Sequence, residues 1–162
     1  MGKILTVAAG GTTQYDNLVY TYLLKPMKDL LLDTYRPSPV YISPVMMNMS
    51  SDVGIRLWSP SSTFVSLYSD SGFTRRYDVD IVMYHVNRNP NEKFWEYVLR
   101  ETERTNQLLV NNHAYDSSDG SSSVTSWYEG EVEEILINDV PDEDVEGLVS
   151  VNFQFSCNIN RT

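Results

Sequence analysis

The feature that most constrains this chain is the alternation in LVSVNFQFSCNIN, residues Leu148 to Asn160. Val149, Val151, Phe153, Phe155, Cys157 and Ile159 fall on one side of an extended backbone. Ser150, Asn152, Gln154, Ser156, Asn158 and Asn160 fall on the other. A period of two without exception predicts a half-buried strand, and a slip of one residue would turn the whole apolar row to water, so its register is strongly set. At about 1.5–3 kcal/mol per buried side chain, that row contributes on the order of 10 kcal/mol before entropy is subtracted. The polar row carries amides and hydroxyls but no charge, which suits a neighbouring subunit as well as it suits solvent.

A chain of 162 residues is predicted to form a single domain spanning 1–162, long enough for a real core. One cysteine excludes an internal disulfide framework, and Cys157, on the apolar face, reads as a small buried hydrophobe. The sequence has no apolar run of about 18 residues and no signal-peptide core, which predicts a soluble protein made in the cytosol. Met1-Gly2-Lys3-Ile4-Leu5-Thr6 fits the short myristoylation pattern, but nothing basic or membrane-seeking accompanies it, so no membrane partner is expected.

The net charge of -10 is concentrated. Nine of the 22 acids lie between Glu129 and Glu146 with no Lys or Arg among them, so the rest, with 13 acids against 12 bases, is close to neutral. Specific binding of DNA or RNA is not expected, because phosphate attraction needs clustered cations. The block reads either as a solvated acidic edge or as a functional surface.

Residues 1–13, with Gly10-Gly11, read as an extended N-terminal arm. From Gln14 to Tyr35 apolar residues recur helically, with Asp16 as a cap and a kink or break at Pro26. Pro37, Pro39 and Pro44 exclude a central strand, although Val40 to Ile42 suits brief pairing at an edge. Met46, Met47 and Met49 suit either core gaps or an adaptable contact surface. Val53 to Leu57 alternates and ends at Ser59-Pro60, Thr63 to Tyr68 reads as a further strand, and Ser69 to Gly72 as a turn. Phe73 to Val86 is a second long strand, antiparallel to Thr63–Tyr68.

Asn89, Pro90 and Glu92 read as cap, first helical residue and capping box of a helix running to about Val110. Its predicted buried stripe is Phe94, Trp95, Val98, Leu99, Thr102 and Leu109, with Glu96 and Arg100 paired outside. Residues 111–126 read as a long flexible loop. Trp127 to Asn138 is a strand, and an acidic loop returns the chain antiparallel into the last strand.

No catalytic, cofactor or metal site is expected. His85 and His113 stand in no metal-ligand spacing and beside no nucleophile, and His85 reads as a satisfied core histidine. No nucleophile elbow occurs, and Cys157 lacks a partnering base. Arg75, Arg76, Asp78 and Asp80 place mixed charge near one turn, as an internal ion-pair set or as an intersubunit one. Together with Asn152 and Gln154 they are the candidate interface residues.

The order of elements, the strand RRYDVDIVMY, and the closing Gly147, Leu148, Ser150, Val151, Phe153 and Phe155 resemble the tail terminator and tail completion proteins of long-tailed bacteriophages. The resemblance spans roughly Gln14 to Arg161. It implies a mixed α/β (α+β) subunit, its largely antiparallel β-sheet flanked by two main helices. It further implies a homo-oligomeric, hexameric ring in the virion tail or neck, assembled in the host cytoplasm. Such a ring caps the head-proximal end of the tail tube, stops its growth, binds the tail tube protein and a neck or connector protein, and catalyses nothing. On this reading Glu129, Glu131, Asp142, Glu143, Asp144 and Glu146 are candidate channel-facing acids that keep passing DNA from sticking. The alternatives are a head-tail connector or stopper and a small cytosolic ligand-binding domain.

Overall fold

A computed structural model describes residues 19–46, 51–67, 72–87, 91–116, 124–139 and 148–161. A π-helical turn, Tyr20–Leu24, leads into α1 (Lys25–Tyr35). β1 (Val40–Ile42), β2 (Val53–Leu67), β3 (Phe73–Val86), α2 (Glu92–Asn111), β4 (Val124–Asp139) and β5 (Leu148–Arg161) follow. The strands form one five-stranded mixed sheet in the order β1-β2-β3-β5-β4, parallel only between β1 and β2. This is the α+β domain expected from the sequence.

β5 takes an interior position because its apolar row needs covered neighbours. It pairs with β3 without a break, from Phe73 opposite Arg161 to Val86 opposite Leu148, and β4 lies antiparallel on its other side. Val149, Val151, Phe153, Phe155, Cys157 and Ile159 are all fully buried. They share one core cluster with Tyr77, Val79, Ile81 and Met83 of β3 and with Leu23, Met27, Leu31, Val98 and Leu109 of the helices. The π turn touches both β2 and β4, which β3 and β5 separate. Neighbouring strands lie ~4.8 Å apart, so one helical turn reaches both only if the sheet curls around it.

The interruption expected at Pro26 takes the form of that π turn. The Lys25 N–H donates to the Tyr20 carbonyl, five residues back, and the backbone stays right-handed helical at Leu24 and Lys25. Pro26 then falls in the first turn of α1, the helical position that best tolerates a residue without an N–H. Asp16 lies outside the described residues, as do residues 1–13, Met47 and Met49.

Two expected strands are one. β2 runs through Ser59-Pro60 with a shift of register between Trp58 and Ser61. β1 pairs only with Ile55–Leu57, so Pro60 stands beyond its reach and the bulge absorbs the missing donor. The Ser59 hydroxyl spans the irregularity, donating to the Asp78 carbonyl at 2.7 Å.

The cap of α2 is Asn91 rather than Asn89: its backbone is extended and its side chain accepts from the Phe94 N–H at 3.1 Å. Glu92 is the first helical residue, where its charge suits the helix dipole. Asn89 and Pro90 lie outside the described residues. The buried stripe is Phe94, Val98, Glu101, Thr102, Thr105 and Leu109, whereas Trp95 and Leu99 are 37% and 58% exposed. Contact with α1 sets this rotation. The Tyr35 and Thr105 hydroxyls share a hydrogen bond across the helix pair, and Thr105 lies 3.2 Å from the Met83 sulfur beneath. Arg100 lies 3.9 Å from Glu101 instead of pairing with Glu96. α2 extends to Asn111 and β4 starts at Val124, so residues 117–123 of the expected loop are those outside the described residues.

Candidate assembly interface

The outer face of the sheet, opposite the core, holds the polar row of β5, and it is not bare. Arg76 of β3 donates to Ser156 at 2.5 Å, to Glu131 at 2.5 Å and to Asn158 at 3.4 Å, with Glu133 at 3.5 Å. Ser156 donates onward to Glu133 at 2.6 Å, and the Asn158 amide to Glu129 at 2.7 Å. Tyr128 and Thr74 both donate to Asn160, at 2.6 Å each. Ser156 and Asn158 are buried beneath these side chains. The row read from the sequence as an uncharged surface is therefore roofed by charged groups of the same subunit, wherever β3 and β4 carry them.

The interface candidates separate accordingly. Arg76, Asp78, Asp80, Asn152 and Gln154 share the outer face, while Arg75, one residue out of phase, lies on the opposite side and donates to Ser62 at 2.8 Å. Arg76 takes its ion pairs from β4 and not from Asp78 or Asp80, which corrects the expected set. Asp78 accepts from the Ser61 hydroxyl at 2.5 Å. Asp80 stands opposite Gln154 beside a shallow depression of about 290 Å³. Asn152 is partly buried and its Oδ1 has no partner among the described residues.

Of the candidate channel acids, Glu129 and Glu131 are the two inside the described residues; Asp142, Glu143, Asp144 and Glu146 lie outside them. Glu129 sits at φ 51°, inside the register shift between Tyr128 and Glu131. Next to it, a Cβ added at Gly130 would lie 2.5 Å from the Phe155 ring and 2.7 Å from the His113 carbonyl, an approach only glycine permits. The sequence reading passed over this position.

It read Thr63 to Tyr68 as a strand but not the exposure of this distal half of β2. Beyond Leu57 no strand among the described residues pairs with the outer edge of β2. Trp58, Phe64, Val65 and Leu67 are 38%, 54%, 50% and 64% exposed. Val65 is the extra residue of a second register shift, between Phe64 and Ser66, so the apolar groups cluster where the ribbon is irregular. The other edge of the sheet, β4 from Glu131 to Asn138, likewise has no strand partner on its outer side among the described residues, and it is acidic.

The histidine reading needs correction. His85 is 1% exposed, and neither ring nitrogen has a hydrogen-bond partner among the described residues, so it is buried but unsatisfied. Burial pushes its pKa down to about 4. Cys157 is fully buried, and burial pushes its thiol up to about 12. Among the described residues no three His, Cys, Asp or Glu side chains are placed to hold a metal ion, and no helix is long and apolar enough to cross a membrane. No family model matches the chain, and no curated protein matches it either.

Proposed function

We propose that this chain is a structural virion protein: a hexameric ring that caps the head-proximal end of a phage tail tube, ends its polymerisation and joins the tail to the neck. The choice of terminator rests on the sequence resemblance in RRYDVDIVMY and in the Gly147 to Phe155 stretch. The single observation that favours assembly is the distal half of β2, a strand edge with exposed Trp58, Phe64, Val65 and Leu67. A monomer in water leaves such an edge as an aggregation hazard, whereas a neighbouring subunit covers it. Two edges on opposite sides of one sheet that lack a strand partner among the described residues suit head-to-tail contact, which closes into a ring when the rotation per subunit allows. In this reading the chain is not an enzyme, and Glu129 and Glu131 rim the channel with charge that disfavours adhesion of DNA.

A connector or stopper one layer nearer the capsid is the second reading, since it calls for the same ring. Electron microscopy of tails assembled with and without the protein separates the two. Tubes of uncontrolled length in its absence support the terminator; tubes of normal length that fail to join heads support the connector. Phe64→Lys with Leu67→Lys should abolish the ring on the tube while leaving the monomer folded, and retention of the ring would reject the β2 edge as interface. Gln154→Lys tests the outer face in the same assay.

A further inference from the structure

Each edge of the sheet is covered over one end only. β1 occupies the outer side of β2 from Ile55 to Leu57. At the far edge the chain leaving α2 does the same for β4: the Tyr115 N–H donates to the Trp127 carbonyl at 2.9 Å, and the Gly130 N–H to the His113 carbonyl at 2.7 Å. Beyond these covers two stretches have no strand partner on their outer side among the described residues. They are Trp58 to Leu67 on β2 and Glu131 to Asp139 on β4, ten residues and nine. They lie towards opposite ends of the sheet, since the first runs beside Phe73 to Asp80 of β3 and the second beside Val149 to Ser156 of β5.

We propose that this stretch of β2 receives the stretch Glu131 to Asp139 of β4 from a second copy of the chain, antiparallel, so that the sheet runs on from one subunit to the next. The proposal deepens the assembly reading, on which it rests for the ring, by naming the two strands that meet. Direction fits: β2, β3, β5 and β4 are successively antiparallel, so β4 of a copy in the same orientation runs opposite to β2. A two-fold axis would instead pair like edges, and two β4 edges would set the exposed carboxylates of Glu131, Glu133 and Glu134 against their own kind. The β2 stretch carries no charge. Faces fit as well. Phe64 and Leu67 stand opposite Arg75 and Phe73 of β3, and Ile137 opposite Val151 of β5, so all three exposed apolar side chains lie on the core side of the sheet and become neighbours in the joined one.

The two covers also fix the depth of the contact, because both are cleared when Leu67 comes level with Glu131 of the neighbour. Within one subunit Leu67 is level with Arg161, through Phe73, and Glu131 with Ser156. Successive copies are therefore offset by five residues of β5, ~17 Å along the strands, for a repeat of four strands, ~19 Å wide. Strands offset in this way incline by about 40° to the axis of a closed ring, inside the ~35–45° at which sheets close.

Disulfide trapping tests the pairing. Thr63, opposite Arg76, and Leu136, opposite Asn152, are exposed on the outer face and meet in this alignment. Full-length Thr63→Cys and Leu136→Cys chains, mixed in equal amounts at about 1 mM and oxidised, should form a linked dimer at least about tenfold more than either variant alone. Thr63→Cys mixed with Glu131→Cys, ~17 Å further along the strand, should do no better than a single variant. Cys157 is buried and does not contribute. A chain carrying both Thr63→Cys and Leu136→Cys should give a ladder of linked species beyond the dimer. The proposal is overturned if no mixed dimer forms, if Thr63→Cys alone links as well as the mixture, or if the double variant stops at the dimer. A ladder from a protein that tails do not need would retain this pairing and reject the terminator; tails that need the protein for their length, without the mixed dimer, would reject this pairing alone.

Discussion

The Arg76 guanidinium on β3 reaches the Glu131 carboxylate on β4 at 2.5 Å by passing over β5, the strand that separates them. One side chain thus ties three strands together on the face that carries no apolar core. An isolated exposed ion pair would add little, but here the same cation also serves one carboxamide, of Asn158, and one hydroxyl, of Ser156, both buried.

Arg76→Ala should therefore cost about 1–3 kcal/mol in urea denaturation, because Ser156 and Asn158 lose their donor and Glu129, Glu131 and Glu133 are left as neighbouring like charges. Added salt should narrow the difference from wild type. A loss of under about 0.5 kcal/mol would mean that the network is held by β4 alone.

Gly130→Ala should be destabilising by about 1–3 kcal/mol although the position is on an exposed strand, since the new methyl collides with a buried ring and a backbone carbonyl. Thermal unfolding measures it. Relief of the loss by Phe155→Leu in the double variant would assign it to the ring contact.

His85 makes stability depend on pH in a definite direction. Its folded pKa, about 4, lies below the ordinary 6.5, so between these values the unfolded chain binds more protons than the folded one. Stability should rise as pH increases from 4 to 6.5, by about 3 kcal/mol in all, and then level off. His85→Leu should flatten that slope at little or no cost at pH 7, because it removes two unpartnered buried nitrogens. An unchanged slope would assign the pH dependence to the carboxylates instead.

Cys157 should resist alkylation in the folded protein, being fully buried with its thiolate disfavoured. Its modification rate should track global unfolding as urea is raised, since β5 is an inner strand of the sheet, paired on both sides. Rapid labelling without denaturant would indicate local opening between β4 and β5.

β5 was legible in the sequence to within a residue because every position of its alternation agrees, leaving the register no choice; β3 was legible in its bounds although both its faces turn apolar towards the end, where Val82 is buried on the outer side. β2 was misread at Ser59-Pro60: whether a proline ends a strand or merely bulges it depends on whether a partner needs its N–H, and the partner is set by tertiary structure. Trp95 was placed in the buried stripe on helical spacing, yet the rotation of α2 answers to Tyr35 on another helix and turns Glu101 and Thr105 inward. The empty hydrogen-bond positions of His85 and the crowding at Gly130 are relations between distant segments, and no local pattern encodes them.

The three residues of β1 have an effect out of proportion to their length. They occupy the edge of β2 only as far as Leu57, and so act as a fixed stop beside a stretch of edge with no strand partner among the described residues. A strand arriving from another molecule cannot slide past that stop, and the bulge after Trp58 further limits where its hydrogen bonds match. Contact there would be confined to one alignment, and a repeated contact with one alignment has one angle between successive copies. In the ring proposed above, the shortest strand of the sheet would then set how many copies close the circle.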